Sequence, residues 1–104
     1  MVDTRPFQEI VERIRRVSRP LRVVLFGSRA RGTGTPESDI DLLVVVPDGT
    51  SRHETAGDIY QSLIGVGVPV DVVVVTEDDV DRYRNEPSLV VAAALHDGTT
   101  LYAA

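Results

Sequence analysis

Two aspartates, Asp39 and Asp41, stand at the head of an apolar run that continues from Leu42 to Val46. Side chains two residues apart on a strand project to the same side, so these two carboxylates are expected to lie next to each other. Adjacent carboxylates repel one another, and a cation between them relieves that repulsion. Magnesium and similar hard cations bind carboxylate and phosphate oxygens together. The pair therefore predicts a site for a metal ion and a nucleotide.

A Gly-Ser turn precedes this acidic pair along the chain. Gly27-Ser28 directly follows an apolar run, Leu21 to Phe26, and ten residues separate it from Asp39. A glycine lets the backbone approach a phosphate closely, while free amides and a serine hydroxyl can donate hydrogen bonds to the phosphate oxygens. An ordinary turn is the alternative interpretation. The acidic pair that follows favours nucleotide binding by Gly27 and Ser28.

The sequence excludes several other chemistries. It contains neither cysteine nor lysine, which removes thiolate metal sites, cysteine nucleophiles and lysine-based catalysis. The spacing from Gly27 to Gly32 imitates the start of a Walker A loop, but Thr33-Gly34 follows where that loop requires Lys and Ser or Thr. The phosphate-binding loop of that nucleotide-binding class is therefore absent.

Length and composition predict one globular domain over residues 1–104, with 42% hydrophobic and 26% charged residues. A net charge of −5 argues against direct binding to nucleic acid, which is a property of basic surfaces. The N-terminal stretch has no apolar core of signal-peptide length, and no run approaches the roughly 20 apolar residues of a membrane span. A cytoplasmic protein without membrane contact is expected.

Hydrophobic periodicity predicts the elements that position these residues. The predicted strands are Leu21–Phe26, Asp39–Pro47, Val68–Val75 and an edge strand at Thr99–Tyr102; the predicted helices are Phe7–Val17, one between Ser51 and Ile64, one after Thr76, and Ser88–His96. The strand that begins with the acidic pair is apolar at every later position. Continuous apolarity of that kind is typical of a strand covered on both faces, as in an α/β sheet.

A second group of acids follows the third predicted strand. Asp78, Asp79 and Asp81 resemble a metal cluster in their spacing. They also stand in the first turns of a helix for which Thr76 is a suitable cap, and the helix dipole favours acidic residues there. The helix-start interpretation is the stronger one.

The Gly-Ser turn, the ten intervening residues and Asp39-x-Asp41, placed between two strands, resemble the signature of the polymerase-beta-like nucleotidyltransferase superfamily. The whole chain resembles the minimal nucleotidyltransferases of bacteria and archaea. The resemblance implies an α/β (α+β) fold of the polymerase-beta palm type, with a mixed three- to four-stranded sheet flanked by helices. We expect the helices to pack on one side of the sheet, with the site open at one edge.

The resemblance also implies roles for particular residues. Asp39 and Asp41 would hold one or two magnesium ions on the phosphates of ATP. The family has a third acidic residue on a neighbouring strand, and Asp71 is the residue that qualifies. A lone carboxylate in an apolar run is costly to bury unless it is paired or binds a cation, although an exposed strand end would also explain it. A basic residue near the turn assists the phosphates in this family, and Arg31 is the preferred candidate; Arg29 is expected only to pair with Glu37 or with solvent.

The activity implied by the resemblance is transfer of AMP from ATP to a hydroxyl group. The most similar branch pairs with a helical HEPN-type protein as antitoxin and toxin, and the enzyme is understood to add AMP to a tyrosine of the toxin. A HEPN-type partner encoded nearby is therefore expected, and a homo-oligomer is a further option. Tyr60, Tyr83 and Tyr102 could be acceptors within the chain itself, but packing roles are expected for them.

Two alternatives of different classes stay open. The chain could be a binding module that neutralises a partner by occlusion without catalysis. It could also be half of a small-molecule nucleotidyltransferase, of the kind that modifies antibiotics, that works as an oligomer.

Overall fold

The structure is a computed structural model that describes residues 3–32, 39–84, 86 and 90–104, without the side chains of residues 28 and 31. Over these residues, helices and strands largely alternate along the chain. In chain order the elements are a 3-10 turn (Arg5–Phe7), α1 (Gln8–Val17), β1 (Arg22–Phe26), α2 (Ser28–Arg31), β2 (Ile40–Val46), α3 (Arg52–Ser62), β3 (Val70–Thr76), α4 (Glu77–Tyr83), α5 (Val90–Asp97) and β4 (Thr99–Ala103). These elements follow the predicted ones closely. The predicted start of the last helix, at Ser88, lies outside the described residues. None of the helices in these ranges is long and apolar enough to cross a membrane.

The four strands form one mixed sheet in the order β3-β2-β1-β4. Strand β1 pairs antiparallel with β2 and with β4, whereas β2 and β3 run parallel. The predicted mixed α/β sheet is therefore confirmed. Within the described part of the chain, β3 and β4 are its two edges.

Helices cover both faces of the sheet. Leu42 and Val44 of β2 lie in a core cluster with residues of α1 and α3, such as Ile59. Leu43 of β2 lies in a second cluster, on the opposite face, with Val80 of α4. The expectation that helices pack on one side is wrong, because the odd-numbered positions of β2 after Asp41 are as apolar as the even-numbered ones and need their own cover.

Helix α3 buries a narrower stripe than its sequence predicts. Ile59 and Leu63 are 0% and 6% exposed, but Tyr60 is 44% and Ile64 is 75% exposed. The helix packs mainly on β3, the edge strand, so part of its apolar face reaches beyond the sheet. Tyr60 therefore stands at the open side of β3 and not in the core.

Candidate active site

Asp41 and Asp71 are direct neighbours on the parallel strands β2 and β3. Residues in register on adjacent strands project to the same side of a sheet, with backbones about 4.8 Å apart. Each is the second residue of its strand, so both carboxylates lie at the amino-terminal end of the strand pair. They share the sheet face of Leu43 and Val75, which is the face covered by α4 and α5. The structure thus brings together two of the three acids predicted from the sequence.

Asp71 is exposed, and Asp41 is partly buried. The cost of burying a lone charge therefore does not explain why an acid interrupts the valine run of β3. An exposed strand end does describe the position of Asp71. An exposed strand end does not account for the register of Asp71 with Asp41, which places two like charges on adjacent strands.

Gly27 lies against the Asp41 carboxylate. The residue before it, Phe26, is paired in register with Asp41 across the β1–β2 ladder. A Cβ atom at Gly27 would overlap Oδ2 of Asp41 and lie 3.3 Å from its Cγ. The backbone also has a φ of +77° at this glycine, a left-handed conformation that other residues rarely adopt. The sequence predicted a glycine for close approach of a phosphate; room for the Asp41 carboxylate is a second reason, which the sequence did not reveal.

Asp39 immediately precedes β2 and is exposed. The ladder to the neighbouring strand begins right after it, since the Ile40 N–H donates to the Pro69 carbonyl at 3.0 Å. Among the residues that the structure describes, no three His, Asp or Glu side chains are grouped closely enough to hold a metal ion. Asp39 is therefore next to the Asp41–Asp71 pair along the chain, but it does not complete a closed set of three ligands.

Ser28 and Arg31 are the first and last residues of α2, the short helix that begins directly after Gly27. A helical turn therefore follows the Gly-Ser turn directly. The side chains of both residues lie outside the described residues. Their roles at the phosphates stay predictions.

The donor set fits a hard divalent cation. Carboxylate oxygens are the ligands that magnesium prefers, and Asp41 and Asp71 supply them from adjacent strands in register. The absence of a side chain at Gly27 leaves room for the Asp41 carboxylate. Asp39, Asp41 and Asp71 are the residues that would hold such an ion.

The acids at the start of α4 have different partners. Thr76 and Asp79 form a reciprocal capping box: the Thr76 hydroxyl accepts from the Asp79 N–H at 3.2 Å, and the Asp79 carboxylate accepts from the Thr76 N–H at 3.0 Å. Asp79 also forms an ion pair with Arg52, at 3.0 Å. The Thr76 N–H hydrogen bond and then the Arg52 charge hold the pKa of Asp79 below its ordinary value. The carboxylate of Asp48 accepts from the Asp78 N–H at 2.9 Å. The interpretation of these acids as helix-start residues is confirmed.

Two of the three tyrosines are engaged within the fold. The Tyr60 hydroxyl is hydrogen-bonded to the backbone of Val72. The ring of Tyr102 lies beneath the Arg15 guanidinium, 4.6 Å from it. Tyr83 is 38% exposed. Structural roles are thus supported for Tyr60, through its hydroxyl, and for Tyr102, through its ring, and the contact of Tyr60 with β3 is a feature that the sequence did not reveal.

Comparison with known proteins places this chain in a class. Residues 7–95 match the model of the nucleotidyltransferase domain family. This match spans most of the chain, and the chain belongs to that family of transferases. Among curated proteins, no sequence match was found.

Solved structures give the particular relatives. A protein from Sulfolobus solfataricus described as a nucleotidyltransferase is 27% identical, with a TM-score of 0.62 over 93% of this chain and 77% of that one. A toxin–antitoxin structure with AMP-PNP is 24% identical, and a MntA-HpeT toxin–antitoxin mutant with two Asp-to-Glu substitutions is 22% identical. Both have a TM-score of 0.62 over 92% of this chain and 72% of theirs. These last two likenesses show the shared fold.

Proposed function

We propose that this chain transfers AMP from ATP to a tyrosine hydroxyl of a HEPN-type toxin, and so acts as an antitoxin. In this proposal residues 1–104 act as one minimal nucleotidyltransferase domain. The observation that carries it is the register of Asp41 with Asp71 beside Gly27, in a chain of the nucleotidyltransferase family. The two toxin–antitoxin neighbours, one of them with AMP-PNP, support the choice of nucleotide and partner.

The chain's own residues have distinct tasks in this reaction. The Gly27 backbone and Ser28 bind the triphosphate, and Arg31 assists them. The acceptor oxygen bonds to the α-phosphorus of ATP as the bond to the departing pyrophosphate breaks, and the hydroxyl proton passes to Asp71, the most exposed acid of the strand pair. Asp41 is fixed from both sides, by the ladder of β2 and by the close approach of Gly27. This keeps the carboxylate in one position relative to the nucleotide.

Magnesium, held by Asp39, Asp41 and Asp71, would neutralise the crowded negative charge of carboxylates and phosphates. The requirement for a cation follows from the charges. ATP is an anion, and the end of the β2–β3 pair already places two carboxylates in register. Binding of the nucleotide without a cation would add to that repulsion.

Transfer of labelled AMP tests the proposal. The chain is co-expressed with the protein encoded beside it, incubated with labelled ATP and magnesium, and the partner is analysed by mass spectrometry for added AMP on tyrosine. We expect the double variant Asp39→Ala/Asp41→Ala to lose transfer by about 10³-fold or more, since metal-borne charge stabilisation is worth several kcal/mol. The matched control is Asp78→Ala, which removes an exposed acid of α4 that pairs with Arg82.

Three other outcomes of this experiment would contradict the proposal or favour one of the alternative functions. Full transfer by the double variant would contradict the assignment of the acidic pair. Neutralisation of the toxin by a double variant that transfers no AMP would favour occlusion. Transfer to small hydroxyl compounds without any protein partner would favour the antibiotic-type enzyme.

A further inference from the structure

Among the residues that the structure describes, the strand that carries Asp71 pairs with a neighbouring strand on one side only. Strand β3 pairs with β2, and it is an edge of the sheet in the described part of the chain. Backbone groups of alternate residues on a strand point to opposite sides, so half of the residues of an edge strand present their N–H and C=O outward. Such a strand is less firmly placed than one paired on both sides. The position of Asp71 therefore depends on the contacts made by the outer side of β3 as well as on the ladder with β2.

A single side chain occupies the outer side of β3 right beside Asp71. The Tyr60 hydroxyl accepts a hydrogen bond from the Val72 N–H at 2.8 Å and donates one to the Val72 carbonyl at 3.3 Å. One hydroxyl thus satisfies both backbone groups of one residue, as a residue of an adjoining strand would. The backbone of α3 is held in place at Tyr60, because the preceding residue, Ile59, is fully buried against the sheet.

Asp71 is thereby held between two anchor points. Before it, the Pro69 carbonyl accepts from the Ile40 N–H at 3.0 Å, which ties β3 to the start of β2. After it, Val72 is held on the outer side by Tyr60. The anchors lie on opposite sides of β3 and enclose two residues, Val70 and Asp71, so the backbone of Asp71 has little freedom to move away from Asp41.

The exposure of Tyr60 argues against a role in filling the core. Its side chain is 44% exposed, whereas Ile59 of α3 and Leu63, directly after the helix, are 0% and 6% exposed. The contact that defines Tyr60 is therefore made by its hydroxyl. Replacement by phenylalanine removes this contact and leaves the ring.

We propose that Tyr60 is a positioning residue that holds Asp71 in register with Asp41 through the backbone of Val72. The inference rests on the proposed function, because it gives the reason why Asp71 must be held: two carboxylates can share a cation only at a fixed separation. Tyr60 touches neither the nucleotide nor the acceptor in this scheme. It acts on the reaction through the geometry of the acid pair.

Binding of Mn²⁺ to the ATP-free protein, measured by electron paramagnetic resonance, tests the inference with Tyr60→Phe. Loss of residues that orient metal ligands typically weakens metal binding by roughly 10- to 100-fold, and we expect a loss within that range. The apparent magnesium requirement of AMP transfer should rise by a similar factor, while the KM for the protein acceptor stays unchanged. Amide hydrogen exchange at Val72 should become faster, which reports directly on the lost contact.

Tyr83→Phe is the matched control, because Tyr83 is similarly exposed, at 38%, and lies on α4 away from Val72. Mn²⁺ affinity equal to that of the wild type, in a Tyr60→Phe protein whose Val72 amide exchanges faster, would overturn the inference and leave the proposed function intact. A Val72 amide that stays protected in this variant would overturn it as well. Wild-type protein that binds no Mn²⁺ and transfers no AMP would overturn both proposals together.

Discussion

Acidic residues stand at both ends of the parallel strand pair β2–β3, and their surroundings differ. At the carboxyl-terminal end, Asp48 and Asp79 accept hydrogen bonds from backbone amides at the start of α4, and Asp79 also pairs with Arg52. At the amino-terminal end, Asp41 and Asp71 lie in register with each other. At one end the acids accept from amides at the start of a helix and one of them pairs with a cation, whereas at the other end two acids share one register position of adjacent strands.

We interpret this difference as one between acids that stabilise the fold and acids that, in the proposed function, bind a ligand. Capping an exposed helix start needs nothing from outside the chain, since the helix amides supply the donors. Two carboxylates in register gain nothing from each other, and a bound cation would turn their repulsion into attraction. The comparison therefore predicts opposite consequences for the loss of a charge at the two ends.

The largest expected effect comes from exchanging one acid at each end for its neutral amide. Asp71→Asn should reduce AMP transfer by about 10³-fold, because a ligand of the cation and the proton acceptor are lost together. The free energy of unfolding of the Asp71→Asn protein should change by less than about 0.5 kcal/mol, as expected for an exposed position. Asp79→Asn should keep transfer near the wild-type rate and lose about 1–2 kcal/mol of stability, because a charged hydrogen-bond acceptor is removed. Transfer assays and urea unfolding of both variants measure the contrast.

Two results would break this comparison. A large loss of stability in Asp71→Asn would mean that its carboxylate supports the fold. A loss of transfer in Asp79→Asn at unchanged stability would mean that the start of α4 takes part in the reaction.

A smaller effect is expected from adding one methyl group at Gly27. Gly27→Ala places a Cβ on the Asp41 carboxylate, which must then move. Displacement of a reacting group by about 1 Å can cost roughly 10²-fold in rate, and a loss of this size in transfer is expected. The control is Gly49→Ala, where φ is +88° and a Cβ would meet nothing within 4 Å.

Both glycine variants should lose about 1–2 kcal/mol of stability to the left-handed backbone conformation. Only Gly27→Ala should lose transfer. Equal transfer rates in the two variants would show that crowding of Asp41 has no functional consequence.

The smallest expected effect is in the response to acid. The pKa of Asp79 is lowered in the folded protein, so its ionised form stabilises the fold. This contribution is fully present above the ordinary aspartate pKa of about 3.9 and is lost as the pH falls through the lowered value. The stability of Asp79→Asn should therefore fall less steeply than that of the wild type below about pH 4. Thermal unfolding from neutral to acidic pH measures the two slopes, and parallel slopes would contradict the assigned role.

Local patterns in the sequence were sufficient to predict the elements and much of the site. The alternation of a strand predicts Asp39 and Asp41 on one side, although β2 begins only at Ile40, and the ordinary start of a helix explains Asp79. These inferences need only neighbouring residues. The same holds for the turn at Gly27, where a change from an apolar run to Gly-Ser marks the end of β1.

Features that depend on long-range pairing could not be predicted in this way. The register of Asp71 with Asp41 depends on how β3 aligns with β2, and one residue of shift would reverse the face on which Asp71 lies. The contact of Tyr60 with Val72 depends on the placement of α3 over the sheet edge. In the sequence, Tyr60 is simply one member of an apolar stripe. The continuous apolar run of β2 does indicate cover on both faces, but which helices supply it on the second face depends on α4 and α5 reaching that side.

The outer side of β3 bears on the behaviour of the protein at high concentration. A valine-rich strand with unpaired backbone groups is a template for growth into fibrils, because further strands can add to it. Here the Tyr60 hydroxyl accepts a hydrogen bond from the Val72 N–H, and the Asp79 carboxylate accepts one from the Thr76 N–H, four residues further along the chain. Two positions at which a foreign strand would begin to pair are taken by the chain's own side chains, which makes this edge a poorer template for further strands.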